Sequence, residues 1–169
     1  MSVTQVERSF IADKEKLLLE TWRYTGTLAT SHGDNVISSN WERADDSFTG
    51  HINGAMTESS GVFTFPYTGF FRITFHPYFY SNSQGHSSYV GATIMATRDA
   101  TNYTSIVEKY DSIQDNLDHA ATSNTFTFDV TNVSNDKVKF NAYTENDATV
   151  IGNTSTNKTY VTFEFMGDT

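Results

Sequence analysis

The stretch GVFTFPYTGFFRITFHPYFY, residues 61–80, constrains the fold more than any other part of the chain. Phe71, Ile73, Phe75, Pro77 and Phe79 fall on one side of an alternation, and Phe70, Arg72, Thr74, His76 and Tyr78 fall on the other. A period of two is that of a β-strand with one face buried. Gly61 and Gly69 bracket a short extended piece, Val62 to Thr68, with Pro66 near its end. Proline removes a ladder donor and stops the first strand, and Gly69 permits a tight turn into the second.

The rest of the chain has the same texture. Further strands are predicted at 21–30, 36–43, 47–53 (weakly), 88–98, 125–132, 137–145 and 158–166. In TFTFDV, Phe126, Phe128 and Val130 alternate with Thr125, Thr127 and Asp129, and in KVKFNAY, Val138, Phe140 and Ala142 follow suit. The link NVSND has turn chemistry, so 125–145 reads as a hairpin. The predicted core is Phe63, Phe65, Phe71, Ile73, Phe75, Phe126, Phe128, Val138 and Phe140. One segment departs from the pattern. Ile106, Tyr110, Ile113 and Leu117 recur at three- and four-residue spacing, so 105–124 reads as a short helix or a long ordered loop.

Residues 1–20 differ again. Charges are dense there, and Val3, Val6, Phe10, Leu17 and Leu18 lie roughly at helical spacing. The segment reads as a tail or short helix, or as an attachment arm in which Val3, Val6, Phe10 and Ile11 meet a partner surface. The division is thus an arm, 1–20, and a β domain, 21–169.

At 169 residues with a net charge of −9, the chain repels phosphate backbones and anionic membrane surfaces, which disfavours nucleic-acid partners. No apolar run approaches bilayer length, so no membrane insertion is expected. Cysteine is absent, which removes disulfides and thiolate metal sites. The opening MSVTQVERSF lacks the basic start and apolar stretch of a secretory signal. On that ground the sequons at Asn102, Asn132, Asn153 and Asn157 are set aside.

Catalytic chemistry is sparse. The histidines at 32, 51, 76, 86 and 119 form no His-x-x-x-His or alternate-residue pair. Asp111, Asp115 and Asp118, with His119, form an acidic cluster that could ligate calcium, without the spacing of an EF-hand. The pair Asp45 and Asp46 sits in polar, turn-like sequence. There is no nucleophile elbow and no phosphate-cradling loop. No catalytic residue and no cofactor is assigned.

The series Gly61-x-Phe63-Thr64-x-Pro66-x-x-Gly69-x-Phe71-x-Ile73 resembles the central motif of C1q-type globular heads, within the C1q and tumour-necrosis-factor superfamily. The order of strands and turns over about 21–166 fits that resemblance, with NKTYVTFEFMGDT in the place of the last strand. It implies an all-β jelly-roll sandwich and a homotrimer, with Trp22, Tyr24, Tyr143 and Tyr160 as candidates for the threefold seam. Three readings of function remain, of which a glycan-processing or metal-dependent enzyme on a sandwich fold is the least favoured. The first is a structural protein of a virus or phage particle, a knob, decoration protein or short fibre, partnered by a capsid or other virion protein and touching a host-surface glycan. The second is an extracellular recognition module for protein or carbohydrate ligands.

Overall fold

The computed structural model describes residues 16–81, 88–113 and 118–169, and none of these is helical. The described residues form fifteen strands. The first eight are β1 (Leu19–Tyr24), β2 (Thr27–Thr30), β3 (Gly33–Val36), β4 (Trp41–Arg43), β5 (Thr57–Ser59), β6 (Val62–Thr64), β7 (Gly69–His76) and β8 (Tyr78–Tyr80). Then come β9 (Tyr89–Thr97), β10 (Thr104–Ser112), β11 (His119–Ala121), β12 (Asn124–Val130), β13 (Lys137–Thr144), β14 (Ala148–Ile151) and β15 (Tyr160–Gly167).

The strands build two layers. One is a five-stranded sheet in the order β12-β7-β15-β1-β4. The other, six-stranded, runs β10-β9-β13-β6-β5, with β3 also paired to β13. A four-stranded sheet, β11-β8-β14-β2, extends the first layer: β8 carries β7 past Pro77, and β11 leads into β12. Every pairing among the described residues is antiparallel. With the chain passing repeatedly from layer to layer, this is a jelly-roll sandwich.

The alternation in β7 and β8 is realised in full: Phe71, Ile73, Phe75 and Phe79 are buried, while Phe70 and Arg72 are exposed. Between the layers the rings interlock. Phe63 of β6 meets Trp22 of β1 at 5.5 Å and Phe163 of β15 at 5.2 Å, and Phe75 meets Phe140 at 4.9 Å. Of the predicted core, all are buried except Phe126, which is half-buried at the edge strand β12.

Four expectations are corrected. The 125–145 segment is no hairpin. Its turn is real, but β12 pairs with β7 and β13 pairs with β9, β6 and β3, in the opposite layer. Buried Asp136 holds this crossing, accepting hydrogen bonds from the backbone N–H of Thr131 (2.7 Å) and Asn132 (2.9 Å) and from Arg98 Nη1 (2.7 Å). The segment 105–124, read as a short helix or a long ordered loop, carries strand β10, with a register shift between Ser105 and Val107, and strand β11. Residues 47–53 form no strand, only an isolated bridge from Ile52 to Leu19. Single strands predicted at 21–30, 36–43 and 69–80 are each interrupted.

Leu18 is buried and β1 starts at Leu19, so the end of the segment read as an arm is part of the sandwich. Val3, Val6, Phe10 and Ile11 lie outside the described residues.

Gly69 opens β7 at φ +136°, where a Cβ would stand 2.5 Å from the Phe165 ring and 2.6 Å from the Gly167 carbonyl oxygen. Strain and overlap act together, so Gly69→Val is expected to lower the free energy of unfolding by about 3 kcal/mol or more. Urea denaturation checks this; an unchanged midpoint contradicts it.

Candidate interaction surfaces

With the core between the layers, function falls to the two outward sheet faces, the open edges and the loops. The outward face of the five-stranded sheet is built from the second half of each alternation. Phe70, Arg72, Thr74 and His76 of β7 lie beside Tyr160, Thr162 and Glu164 of β15 and beside Thr125 and Thr127 of β12. Arg72 pairs with Glu164, and the Thr74 and Thr125 hydroxyls are 3.1 Å apart. His76 stacks on Tyr160 at 4.4 Å and 17°. Burial pushes the His76 pKa below its ordinary value near 6.5, because the charged imidazolium loses water there.

A polar clasp covers one side of this face. Arg23 of β1 is only 2% exposed, and its guanidinium bonds Glu42 (2.6 Å), Asp45 and Asp46. Asp46 also accepts hydrogen bonds from Thr49 Oγ1 and from the N–H groups of Phe48 and Thr49. Those bonds, Thr49 foremost, and Arg23 hold its carboxyl below the usual range. The acidic pair in polar, turn-like sequence thus anchors a buried arginine, with Asp45 exposed and Asp46 half-buried. Nothing in the local sequence points to Arg23, because its partners lie about twenty residues downstream.

On the open side of the sandwich, β10 and β12 each end a layer. Between them runs a groove of about 400 Å3 lined by Ala96, Thr104, Ile106, Phe126 and Phe128, with Arg98 and Asp99 at its polar end.

The four seam candidates do not come together. Trp22 and Tyr24 are buried inside the protomer, against Phe63 and Trp41, and offer a neighbour no surface. The reason is the phase of β1, which turns Glu20, Trp22 and Tyr24 inward and leaves Leu19 and Thr21 outward. Tyr160 does lie on the outward face of the five-stranded sheet. Tyr143 lies on the outward face of the other layer, stacked on Tyr89.

Two of the three calcium candidates are among the described residues. Asp111 and Asp118 each accept a hydrogen bond from the next residue's N–H, and Asp115 lies outside the described residues. Among the described residues no three His, Asp or Glu side chains gather as a metal site would require. His119 lies against Tyr78 and Tyr80, His32 Nδ1 is 2.7 Å from the Glu145 carbonyl oxygen, His51 is exposed, and His86 is outside the described residues.

No family model matches the chain, and no curated protein matches it. Solved structures do. The chain is similar to Eiger TNF from S. frugiperda, with a TM-score of 0.68 at 13% identity over 90% of this chain and 94% of that one. It is similar to murine APRIL at pH 5.0, with a TM-score of 0.61 at 8% identity over 89% of this chain and all of that one. At such identities the likeness is one of fold, and the fold is the TNF/C1q-like jelly roll that the 61–73 motif resembles.

Because the His76 pKa is lowered on folding, the unfolded chain takes up its proton first as pH falls. The stability that His76 brings by staying neutral is complete above its ordinary pKa and is lost as pH falls from there toward the lowered one. A melting temperature that drops between about pH 7 and pH 5 is expected, with a smaller drop in His76→Phe. Identical pH profiles for the two proteins contradict the assignment.

Proposed function

We propose that the chain is the protomer of a homotrimeric, non-catalytic jelly-roll knob on a virus particle. Its N-terminal segment holds a capsid or other virion protein, and its outer loops face a host-surface glycan. The observation that carries the assembly part is a pair of unlike surfaces on one protomer. The groove between β10 and β12 is apolar at Ile106, Phe126 and Phe128. The outward sheet face offers His76, Tyr160, Phe70 and a run of threonines. A groove of one copy meeting a sheet face of the next is a heterologous contact, and such contacts close into rings or run on as filaments. The likeness to Eiger TNF and APRIL favours the ring, and three is the closure that the family resemblance implies. The contact would also cover the open edges of β10 and β12, which otherwise invite strand addition.

The non-catalytic reading rests on what the acidic groups do. Asp46, Asp99 and Asp136 accept hydrogen bonds from loop N–H groups, and Asp46 and Asp136 also pair with arginines. The place on a virus particle rests on the sequence, which is acidic, free of cysteine and rich in Ser, Thr and Asn. A second reading, an extracellular recognition module, draws on the likeness to Eiger TNF and APRIL. The genes flanking the chain's own separate them: capsid and portal genes favour the particle.

Sedimentation velocity at micromolar concentration is expected to give three times the 18.9 kDa chain mass. Ile106→Arg is expected to yield a folded monomer, since a charge in the groove loses its water on association. A monomeric wild type overturns the assembly. Deleting residues 1–15 is expected to leave a folded trimer that no longer sediments with the particle. Retained particle binding would move the anchor into the jelly roll.

A further inference from the structure

Three tyrosines from three adjacent strands meet on the outward face of the six-stranded sheet. Gly91 of β9 lies opposite Tyr110 of β10 on one side and opposite Tyr143 of β13 on the other. Asp34 of β3 continues the row beyond Tyr143. A Cβ on Gly91 would stand 2.5 Å from the Tyr110 ring, so the missing side chain is what lets that ring lie down on the sheet. Tyr89 stacks on Tyr143 at 5.6 Å and 5°, and Tyr110 stands edge-on to both at 88°. The arrangement holds the rings in place while leaving Tyr110 45% and Tyr89 36% exposed. In the next row, Thr93 and Asn141 face each other and are buried. Thr93 Oγ1 and Asn141 Oδ1 are buried and have no hydrogen-bond partner among the described residues.

Asp34, Glu108 and Glu145 put negative charge beside the rings, and Lys109 is the cation next to Tyr110. The Tyr110 hydroxyl donates to Glu108 at 3.1 Å. Burial, then Glu108 and Asp34, push the Tyr110 phenol up to about 12. Tyr143 is raised as well, by the Tyr89 hydroxyl first and with contributions from Asp34 and Glu145. His32 stands beside Tyr143 at 6.3 Å. Among the described residues the cation–π pairs fall on other rings: Trp22, Phe128, Tyr103 and Tyr78.

We propose that this tyrosine platform binds a basic, arginine-bearing segment of a partner protein. A guanidinium stacks on a phenol face, whose quadrupole is negative, while its N–H groups fork toward a neighbouring carboxylate. Asp34, Glu108 and Glu145 supply those carboxylates around the rings. An apolar partner would strip water from these charges without replacing it, and an anionic one would be repelled. Tyr110 and Glu108 lie on β10, the strand whose open edge the assembly proposed above covers, while Tyr143 and Asp34 lie on β13 and β3, which that assembly does not use.

The test is calorimetric titration of the full chain with hexa-arginine and with hexa-citrulline, its neutral counterpart, at about 50 mM salt so that screening stays weak. Hexa-arginine is expected to bind and hexa-citrulline not to. Tyr110→Leu is expected to weaken binding about three- to thirtyfold, and Tyr110→Phe to retain it. Gly91→Ala, which displaces the Tyr110 ring, should match Tyr110→Leu, and Asp34→Asn with Glu108→Gln should weaken binding to a similar degree. Asp168→Asn, on the other layer, should change little. Melting curves identify any variant that fails to fold, and the charge variants then carry the test. Equal affinity of wild type and Tyr110→Leu overturns the proposal in favour of diffuse attraction to an acidic protein. Binding of hexa-citrulline as tight as that of hexa-arginine overturns it in favour of a neutral ligand.

Discussion

Phe63 is the contact on which the two layers depend. Its ring, fully buried, touches Trp22 and Phe163 of the five-stranded sheet and Phe140 of its own, with Trp41 closing the ring set at 5.5 Å. Edge-to-face packing of this kind fixes both the spacing and the relative rotation of the layers, because each ring's edge must find another's face. Phe65 extends the contact to Phe71 and Phe128, and Phe75 reaches Phe140. Strand order, outward faces and open edges all follow from that registration.

Polar groups then tie the loops to the aromatic frame. Glu20 is fully buried, yet its carboxylate accepts hydrogen bonds from Trp22 Nε1, Arg43 Nε and the Met56 N–H, at 2.8–2.9 Å. Arg23, its neighbour on β1, points the other way and gathers Glu42, Asp45 and Asp46. Asp136 turns the chain from one layer to the other. A buried charge tolerates this only when its hydrogen-bonding capacity is met, so these residues specify loop geometry more than they add net stability.

The two outward faces differ in chemistry. The face of β7 and β15 is rich in hydroxyls and carries a stacked histidine and one ion pair. It suits contact with a like protein. The face of β9, β10 and β13 gathers phenol rings and carboxylates, and suits a cation.

Much of the fold was legible in the sequence, because a strand with one buried face writes its period into the residues themselves. The phase of β7 and β8, the glycine–proline corner before them and nearly all of the core could be read that way. The all-β class came from the same signal, whereas the jelly roll was implied by the resemblance of the 61–73 motif. Alternation says which side chains share a face, and says nothing about which strand lies alongside. Hence the turn between β12 and β13 was read correctly and its partners were not, since a polar link serves a hairpin and a crossing between layers equally well. Trp22 and Tyr24 were legible as a pair on one face, but only the packing of β1 against β15 and β4 turned that face inward. Arg23 and its three carboxylates, and the tyrosines at 89, 110 and 143, are far apart in the chain. Strand order and register alone brought them together, and both are set by long-range contacts that no local pattern encodes.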